Sequence, residues 1–282
     1  MNTVNRKELW MLTTIIFSKD RPLQLDLCLQ SVSKNWINEE VIVVFKDSSE
    51  KYLIAYEKLK TEHPKIVFVR QSCGFGDALK TAMSYCCNSR YIAFLTDDNI
   101  VYKKCNNNIE EIHSIMSIPD ICCISMRMGL NITKRDNYNV PLPIFSKSGN
   151  YAIWNRTNYL AQSYWNYPLS LDGHIFRKET IYWIIDEIIY SSSGPNKLEQ
   201  LMQRFFFEIP SFCACEMTSC VVNSPNNRVQ DHFQNWHGQT YGYHQDNLLE
   251  IYENGDRIKF ENILFTGIDC PHKEVDILQG LD

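Results

Sequence analysis

Two adjacent aspartates are the sharpest chemical feature of the sequence. Asp97 and Asp98 directly follow Thr96 and an apolar run from Tyr91 to Leu95 that has the length and composition of a buried strand. Neighbouring carboxylates repel each other, and a hard divalent cation relieves that repulsion by taking their oxygens as ligands. Such a cation would also bind a diphosphate, which the carboxylates alone would repel. The alternative is a turn rich in Asp and Asn that caps the next helix.

Three more loops with polar or glycine residues follow predicted strands. They span residues 18–21, 47–49 and 73–77. In an open α/β sheet, ligands bind beyond the carboxyl ends of the strands. The four loops therefore mark the edge of the sheet where a ligand site is expected. Gly74 and Gly76 on their own are weak evidence, because a plain turn before a helix has the same pattern.

The elements that must position these loops alternate between strand and helix. Strands are predicted at 12–17, 41–45, 65–69, 91–95 and 121–126, with helices at 24–33, 52–61 and 77–87. Uninterrupted apolar strands between helices are typical of a parallel sheet covered on both faces, so a Rossmann-like, doubly wound α/β fold is expected. Beyond about Pro119 the pattern loosens, and residues 131–150 are polar and rich in turn-forming residues. Helices are predicted at 179–190, 197–207 and 245–252, with a short strand at 258–260.

The charge balance and the lack of long apolar stretches argue against a nucleic-acid-binding protein and against a membrane-spanning one. The 28 Lys and Arg residues against 33 Asp and Glu residues give a net charge of −5 in 282 residues, which argues against a protein that binds nucleic acid through its phosphates. Met1 to Trp10 lacks the apolar core of a signal peptide, and no apolar stretch reaches the ~20 residues of a spanning helix. We therefore expect a cytoplasmic protein with no transmembrane segment.

The eleven cysteines are expected to be reduced core residues, as in cytosolic proteins. Cys213, Cys215 and Cys220 could in principle bind zinc together with a distant histidine. Their spacing, however, does not match that of known zinc sites.

The segment Tyr91 to Ile100 (YIAFLTDDNI) resembles the DXD region of GT-A glycosyltransferases, in the TDD form of family-2-like enzymes such as the spore-coat polysaccharide transferase. Thr14 to Pro22 (TIIFSKDRP) resembles their first strand and loop, in which hydroxyl and basic residues, here Ser18 and Arg21, meet the nucleotide. The resemblance is good over residues 12–105 and loose elsewhere. It implies one GT-A domain, with a nucleotide-sugar-binding half at 10–118 and an acceptor-binding half with a C-terminal loop at 119–282, on a continuous sheet.

The resemblance also implies roles for single residues on the donor side. Asp98 would ligate Mn²⁺ or Mg²⁺, and Asp97 would face the ribose or a bound water. Asp47 would contact the base. Gly74 and Asp77 belong to a loop, Cys73 to Ala78, that resembles the one near the ribose and phosphates.

The implied activity is transfer of a sugar from a nucleotide-diphosphate donor, with UDP as the family's usual carrier, to a carbohydrate or other hydroxyl acceptor, with inversion. Inversion requires a carboxylate that deprotonates the acceptor. Glu199 is the favoured candidate, in the first turn of a helix expected to open at Pro195, where the helix dipole would hold its pKa down. An ordinary acid at a helix N-terminus is the alternative. Asp172, just before a predicted strand, is the second candidate for the base.

The segment Val222 to Gln230 resembles a C-terminal loop that folds over the donor. Arg228 could offset the diphosphate charge, and His232 or His237 could complete the metal shell. The tail segment from Asp269 to His272 offers a further metal-type pair with less support. Each of these has an ordinary alternative as a surface or core polar residue.

Aromatic residues concentrate between Tyr151 and Tyr167. Trp154 and Trp165 could form a platform on which a sugar stacks, although core packing is the commoner use of such residues.

Two other function classes stay open. A nucleotidyltransferase has a similar sheet, but it would need a glycine-rich loop after the first strand, and Ser18 to Pro22 contains no glycine. A non-catalytic nucleotide- or carbohydrate-binding protein could keep the aspartates without turnover, since fold does not determine reaction.

Overall fold

The computed structural model of the chain describes residues 11–37, 40–105, 108–135, 138–158, 163–229 and 237–281. Its first part alternates parallel strands and helices. The strands are β1 (Met11–Lys19), β2 (Glu40–Lys46), β3 (Val67–Arg70) and β4 (Ser89–Thr96). The helices between them are α1 (Pro22–Asn35), α2 (Glu50–Glu62) and α3 (Phe75–Tyr85). All three pairings among these strands, β3 with β2, β2 with β1 and β1 with β4, are parallel.

The second part adds shorter strands and four helices. The strands are β5 (Asn99–Val101), β6 (Ile121–Ser125), β7 (Lys134–Arg135), β8 (Tyr138–Asn139), β9 (Phe145–Ser148), β10 (Tyr151–Asn155), β11 (His174–Arg177), β12 (Phe212–Glu216) and β13 (Val221–Asn223). The helices are α4 (Ile109–Met116), α5 (Lys178–Ile188), α6 (Pro195–Met202) and α7 (Gln245–Glu253).

One sheet of nine strands joins the two parts, in the order β3-β2-β1-β4-β11-β6-β12-β10-β9. Strand β11 is the junction, since it pairs antiparallel with both β4 and β6. Beside this sheet, β13 and β5 form an antiparallel two-stranded ribbon. The predicted α/β fold with a continuous, mostly parallel sheet is confirmed.

Side chains of β1 explain why the sheet is covered on both faces. Leu12 and Ile16 belong to one buried apolar cluster, and Ile15 and Phe17 belong to the other. Successive residues of a strand point to opposite faces, so a strand that is apolar at both sets of positions must lie between two layers. Among the described residues, no helix combines the length and apolar character needed to cross a membrane.

Two local predictions differ from the structure. The strand predicted at 258–260 is wrong, because Ile258 forms only an isolated bridge with Leu281 and a single 3₁₀ turn begins at Phe260. The polar stretch at 131–150, read as turns, contains β7, β8 and β9 in its described part. These are short hairpin strands with exposed or half-buried residues, so they lack the apolar run that marks a strand in the sequence.

Candidate active site

The loop after β1 is held in place by Asp20. This residue has a φ of 53°, in the left-handed region that few non-glycine residues adopt. Its Oδ1 accepts a hydrogen bond of 2.8 Å from the backbone N of Ser48, in the loop after β2. The carboxyl ends of β1 and β2 are thereby tied together, and the next residue, Arg21, turns toward the end of β4.

Arg21 is the centre of the charged groups at this edge. Its Nη1 donates to Asp97 Oδ1 at 2.8 Å and to Asp98 Oδ2 at 3.0 Å. Its Nε donates to Asn227 Oδ1 at 2.7 Å, and its Nη2 to the Asn227 carbonyl at 2.6 Å. Burial alone would lower the pKa of Arg21, but the two aspartates outweigh it and raise that pKa. Arg21 therefore stays charged and relieves the repulsion between Asp97 and Asp98.

Asp97 is the more enclosed of the two acids, with 4% of its side chain exposed. Its Oδ2 accepts hydrogen bonds from Ser18 Oγ at 2.8 Å and from the backbone N of Lys19 at 3.1 Å. Ser18 Oγ also lies 2.6 Å from the hydroxyl of Tyr56. Asp97 thus fixes the loop after β1 against the end of β4.

Asp98 faces a second carboxylate that the sequence places far away. The Thr96 hydroxyl lies 2.7 Å from Asp98 Oδ1 and 3.0 Å from Asp172 Oδ1. Asn223 Nδ2 donates to Asp98 Oδ1 at 2.8 Å, and Asn99 Nδ2 donates to Asp172 Oδ1 at 3.3 Å. Asp172 is therefore part of the same site as the aspartate pair, as its position just before β11 allows.

Asp172 has two basic neighbours that the donor-side reasoning did not include. Arg127 Nη1 donates to Asp172 Oδ2 at 3.2 Å, and His272 Nε2 lies 3.9 Å from the same oxygen. The His272 ring also contacts Asn223, with Nδ1 and Oδ1 3.3 Å apart. Burial would raise the pKa of Asp172, but Arg127 and then His272 outweigh it, so the pKa lies below its usual value.

Glu199 lies beside Asp172 through the backbone. Its Oε2 accepts a 2.8 Å hydrogen bond from the N of Leu171, the residue before Asp172. Burial, and next the charge of Asp172, raise the pKa of Glu199 to about 6, although Arg127 and Tyr167 act in the opposite direction.

The sequence prediction that Glu199 lies in the first turn of its helix is wrong. Helix α6 begins at Pro195, and no acidic residue is in its first turn. The helix dipole acts mainly within the first turn. Its effect on Glu199 is therefore weaker than expected, and burial sets the direction of the pKa shift.

Asp47 and Gly74 lie in the loops where the sequence places them, whereas Asp77 already belongs to helix α3. Asp47 follows β2 and makes two hydrogen bonds to Arg70, Nε to Oδ1 at 2.8 Å and Nη2 to Oδ2 at 2.7 Å. Gly74 precedes α3 with a φ of 122°, which is strained for any residue with a Cβ. Asp77 is exposed in the first turn of α3. Their contacts with a nucleotide stay a prediction.

The segment after β13 reaches the site through two contacts with the loop after β1. Asn227 holds Arg21, and the Val229 carbonyl accepts a 2.6 Å hydrogen bond from Lys19 Nζ. Arg228 is partly buried and lies between these two anchors in the sequence, and its role near the donor stays a prediction.

Three histidines were candidates for the metal shell. His232 lies outside the described residues, and His237 is partly buried, next to Gly238, whose N donates to the Pro225 carbonyl. The histidine that the structure places against Asp172 is His272, which the sequence analysis ranked below these two.

Trp154 and Trp165 require a correction. Their side chains are 2% and 1% exposed, with ring centroids 4.9 Å apart in an edge-to-face arrangement. Trp154 Nε1 also donates to the Trp165 carbonyl at 2.8 Å. Both rings are thus core residues with no face free for a sugar. The aromatic residues that lie beside Arg127 are Tyr164 and Tyr167.

Those two tyrosines surround the basic groups near Asp172. The Arg127 guanidinium lies 5.6 Å from the Tyr164 ring centroid and 6.0 Å from that of Tyr167. The Tyr164 ring also lies 5.5 Å from the ring of His272. Sequence reasoning missed Arg127, although a charged residue two positions after the buried strand β6 is a usable signal by the carboxyl-end rule.

The donor atoms at this edge suit a hard divalent cation. Asp98 and Asp172 supply carboxylate oxygens on side chains that are 12% and 13% exposed, so an ion from solvent can reach them. Carboxylates are the ligands that Mg²⁺ and Mn²⁺ prefer. Within the described part of the chain, however, Asp98, Asp172 and His272 do not form a group whose ligand atoms all converge within 4.8 Å, so binding of an ion by Asp98 stays a prediction.

Comparison with known proteins agrees with this chemistry. Residues 13–123 match the family described as Glycosyl transferase family 2, and this segment contains both Asp97 and Asp98. The chain is 27% identical over 252 residues to the bifunctional glycosyltransferase pgtA of Dictyostelium discoideum. The alignment covers 78% of this chain and 32% of pgtA, so the chain spans about a third of that relative's length.

Solved structures with a similar sheet include TarS of S. aureus. Residues 1–349 of TarS in complex with UDP superpose with a TM-score of 0.48 at 14% identity, covering 77% of this chain and 61% of TarS. The complex of the same fragment with UDP-GlcNAc gives a TM-score of 0.48 at 14% identity, covering 79% and 60%. Residues 13–123 are thus similar to family 2 glycosyltransferases, and the sheet with its acidic edge is consistent with that similarity.

Proposed function

We propose that this chain transfers a sugar from a UDP-sugar to a hydroxyl group of its acceptor, with inversion at the anomeric carbon and with Mn²⁺ or Mg²⁺ bound. One observation carries the proposal. Asp98, Asp172 and Glu199 gather at the carboxyl edge of the sheet, flanked by the buried cations Arg21 and Arg127. Such a transfer needs carboxylates that bind the metal ion and a carboxylate that acts as the general base. It also needs positively charged groups that stabilise the diphosphate.

The donor occupies the loops after β1, β2 and β3 in this proposal. Ser18 and Asp47 lie at the ends of β1 and β2, where the nucleoside would sit by the carboxyl-end rule. Arg21 and Arg228 bring positive charge toward the diphosphate. When bound by Asp98, a divalent ion supplies Lewis-acid stabilisation of the leaving diphosphate.

Glu199 is the general base in this proposal. The acceptor hydroxyl gives its proton to the Glu199 carboxylate while its oxygen bonds to the anomeric carbon and the bond to the diphosphate breaks. A pKa of about 6 makes Glu199 a stronger base than an ordinary carboxylate, yet leaves it ionised at neutral pH. Asp172 is the poorer base, because Arg127 and His272 hold its pKa below the usual value.

Calorimetric titration of UDP into the protein, with and without Mn²⁺, tests the donor site. We expect binding that needs Mn²⁺ and that weakens at least tenfold in Asp98→Asn. The matched control is Asp186→Asn, which removes an exposed acid of α5 away from the site. Binding that ignores Mn²⁺ and Asp98 would refute the metal-dependent part, and a failure to bind any nucleoside diphosphate would refute the proposal. Binding without sugar transfer or UDP-sugar hydrolysis would favour a non-catalytic binding protein.

A further inference from the structure

A second polar cluster is buried at the far end of the β5–β13 ribbon from Asp98. It consists of Cys105, Glu216 and Cys220, with side chains that are 6%, 1% and 0% exposed. One ligand atom from each residue lies within 4.8 Å of the other two. Cys105 follows β5, Glu216 ends β12, and Cys220 directly precedes β13. Two segments remote in sequence, one with Cys105 and the other with Glu216 and Cys220, thus direct two thiols and a carboxylate to one point.

Unsatisfied polar atoms around this point are a second observation. Within the described part of the chain, Tyr151 Oη and Glu111 Oε2 are buried and have no hydrogen-bond partner. Tyr151 belongs to the surroundings of the cluster, because it is the register partner of Glu216 in the antiparallel pairing of β10 with β12. A buried polar atom without a partner is costly, and in a native structure it calls for a missing ligand or another explanation.

The charge of the cluster indicates what kind of ligand is missing. Thiolates and a carboxylate that are buried this close together would each disfavour the charge of the others. A bound cation reverses that balance, because it stabilises thiolate and carboxylate together.

We propose that Cys105, Glu216 and Cys220 bind a zinc ion. Thiolates with a carboxylate are a donor set that zinc accepts in tetrahedral sites, whereas Mg²⁺ and Mn²⁺ prefer all-oxygen sites. The unpaired hydroxyl of Tyr151, which lies opposite Glu216 in the sheet, is the candidate for the fourth ligand. The site is thus chemically distinct from the Asp98 edge. The sequence had suggested Cys220 only in the company of Cys213 and Cys215.

Such an ion would hold together the two strands that carry the catalytic edge. Cys105 and Cys220 bracket one end of the ribbon, while Asp98 and Asn223 lie at its other end. Clamping the first end fixes the register of the second, as a closed structural metal site does.

Cobalt substitution tests the proposal on the intact chain. After chelator treatment, we expect one Co²⁺ per chain to produce a thiolate-to-cobalt charge-transfer band and the strong visible bands of tetrahedral cobalt. We expect the double variant Cys105→Ser, Cys220→Ser to lose the charge-transfer band, and Glu216→Gln to keep it with at least tenfold weaker affinity. The control is Cys122→Ser with Cys213→Ser, which removes thiols of the other buried cysteine group, and it should keep the band.

Any of three results would refute the proposed zinc site. The first is a wild-type protein without thiolate bands, and the second is bands that persist in the Cys105 and Cys220 double variant. The third is a thiol count that shows these two cysteines joined as a disulfide. A thermal-shift series on the wild type covers the case of a double variant that does not fold. We expect the melting temperature to fall with chelator and to recover with Zn²⁺ but not with Mg²⁺. An unchanged melting temperature would also refute the proposal.

Discussion

Glu199→Gln is the change that most directly tests the proposed chemistry. Glutamine keeps the shape of the side chain and can still accept the hydrogen bond from the N of Leu171, but it cannot take a proton from the acceptor. A positioned general base contributes roughly 10²- to 10⁴-fold to a rate. We therefore expect kcat to fall by at least 100-fold, while UDP affinity stays within about twofold, since no donor-side contact changes.

The pKa of Glu199 also predicts how the activity depends on pH. The base must be deprotonated to act, so activity should rise with pH through about 6 and level off above it. At pH 5 about a tenth of the molecules would carry ionised Glu199, so kcat/KM should lie about tenfold below its plateau. With an ordinary pKa of roughly 4.3, most molecules would still be active at pH 5. If Asp172 were the base, the rise of activity with pH would occur below pH 4, because the pKa of Asp172 is lowered.

The assay is UDP release from a UDP-sugar, in the presence of the acceptor or by slow hydrolysis, across pH 4.5 to 8.5. Glu208→Gln, an exposed acid after α6, is the matched control and should behave as the wild type. A Glu199→Gln enzyme that keeps more than a tenth of the wild-type kcat, or that keeps the same acid limb, would remove Glu199 from the base role.

Four other changes follow from the same structure. Arg127→Gln should move the acid limb of the pH–rate profile up by about one unit or more, because Arg127 lowers the pKa of Glu199; an unmoved limb would contradict that coupling. Arg21→Met should lower the free energy of unfolding by about 3–5 kcal/mol in a urea melt, because Asp97 is left buried without its cation, and a loss below about 1 kcal/mol would show that other groups compensate. Burial lowers the pKa of His174 to about 3, so between pH 6.5 and pH 3 the unfolded chain binds a proton that the folded chain does not. The free energy of unfolding should therefore fall by up to about 1.4 kcal/mol per pH unit as the pH is lowered through this range. His174→Gln should flatten that pH dependence. Trp154→Ala should cost about 3–5 kcal/mol of stability as a core truncation, and a change in acceptor KM with stability intact would restore the sugar-platform reading.

The half of the site that lies on β1 and β4 could be predicted from the sequence. Apolar runs followed by Ser18 to Arg21 and by Asp97 to Asn99 reveal both the strands and the edge at which they end, because a doubly buried strand needs an unbroken apolar run. Local patterns of this kind carry their own evidence. They do not depend on which remote segment packs against them.

The other half could not be predicted in the same way, because it is assembled by contacts distant in sequence. Nothing near Arg127 or His272 indicates that both meet Asp172, and a single histidine is weak evidence for ligation. The ribbon of β5 and β13 escaped notice for a related reason, since each strand has only three residues. The burial of the tryptophan pair likewise depends on the packing of β10 against its neighbours.

The contact between Arg21 and Asn227 joins residues 206 positions apart. A chain made from its N-terminus can form the parallel strands β1 to β4 early, because their contacts are comparatively local. Arg21 gains its partner only once synthesis has passed Asn227. Until then strands β1 to β4 can pair while the proposed donor pocket lacks this contact, so nucleotide binding should appear later in folding than the parallel strands.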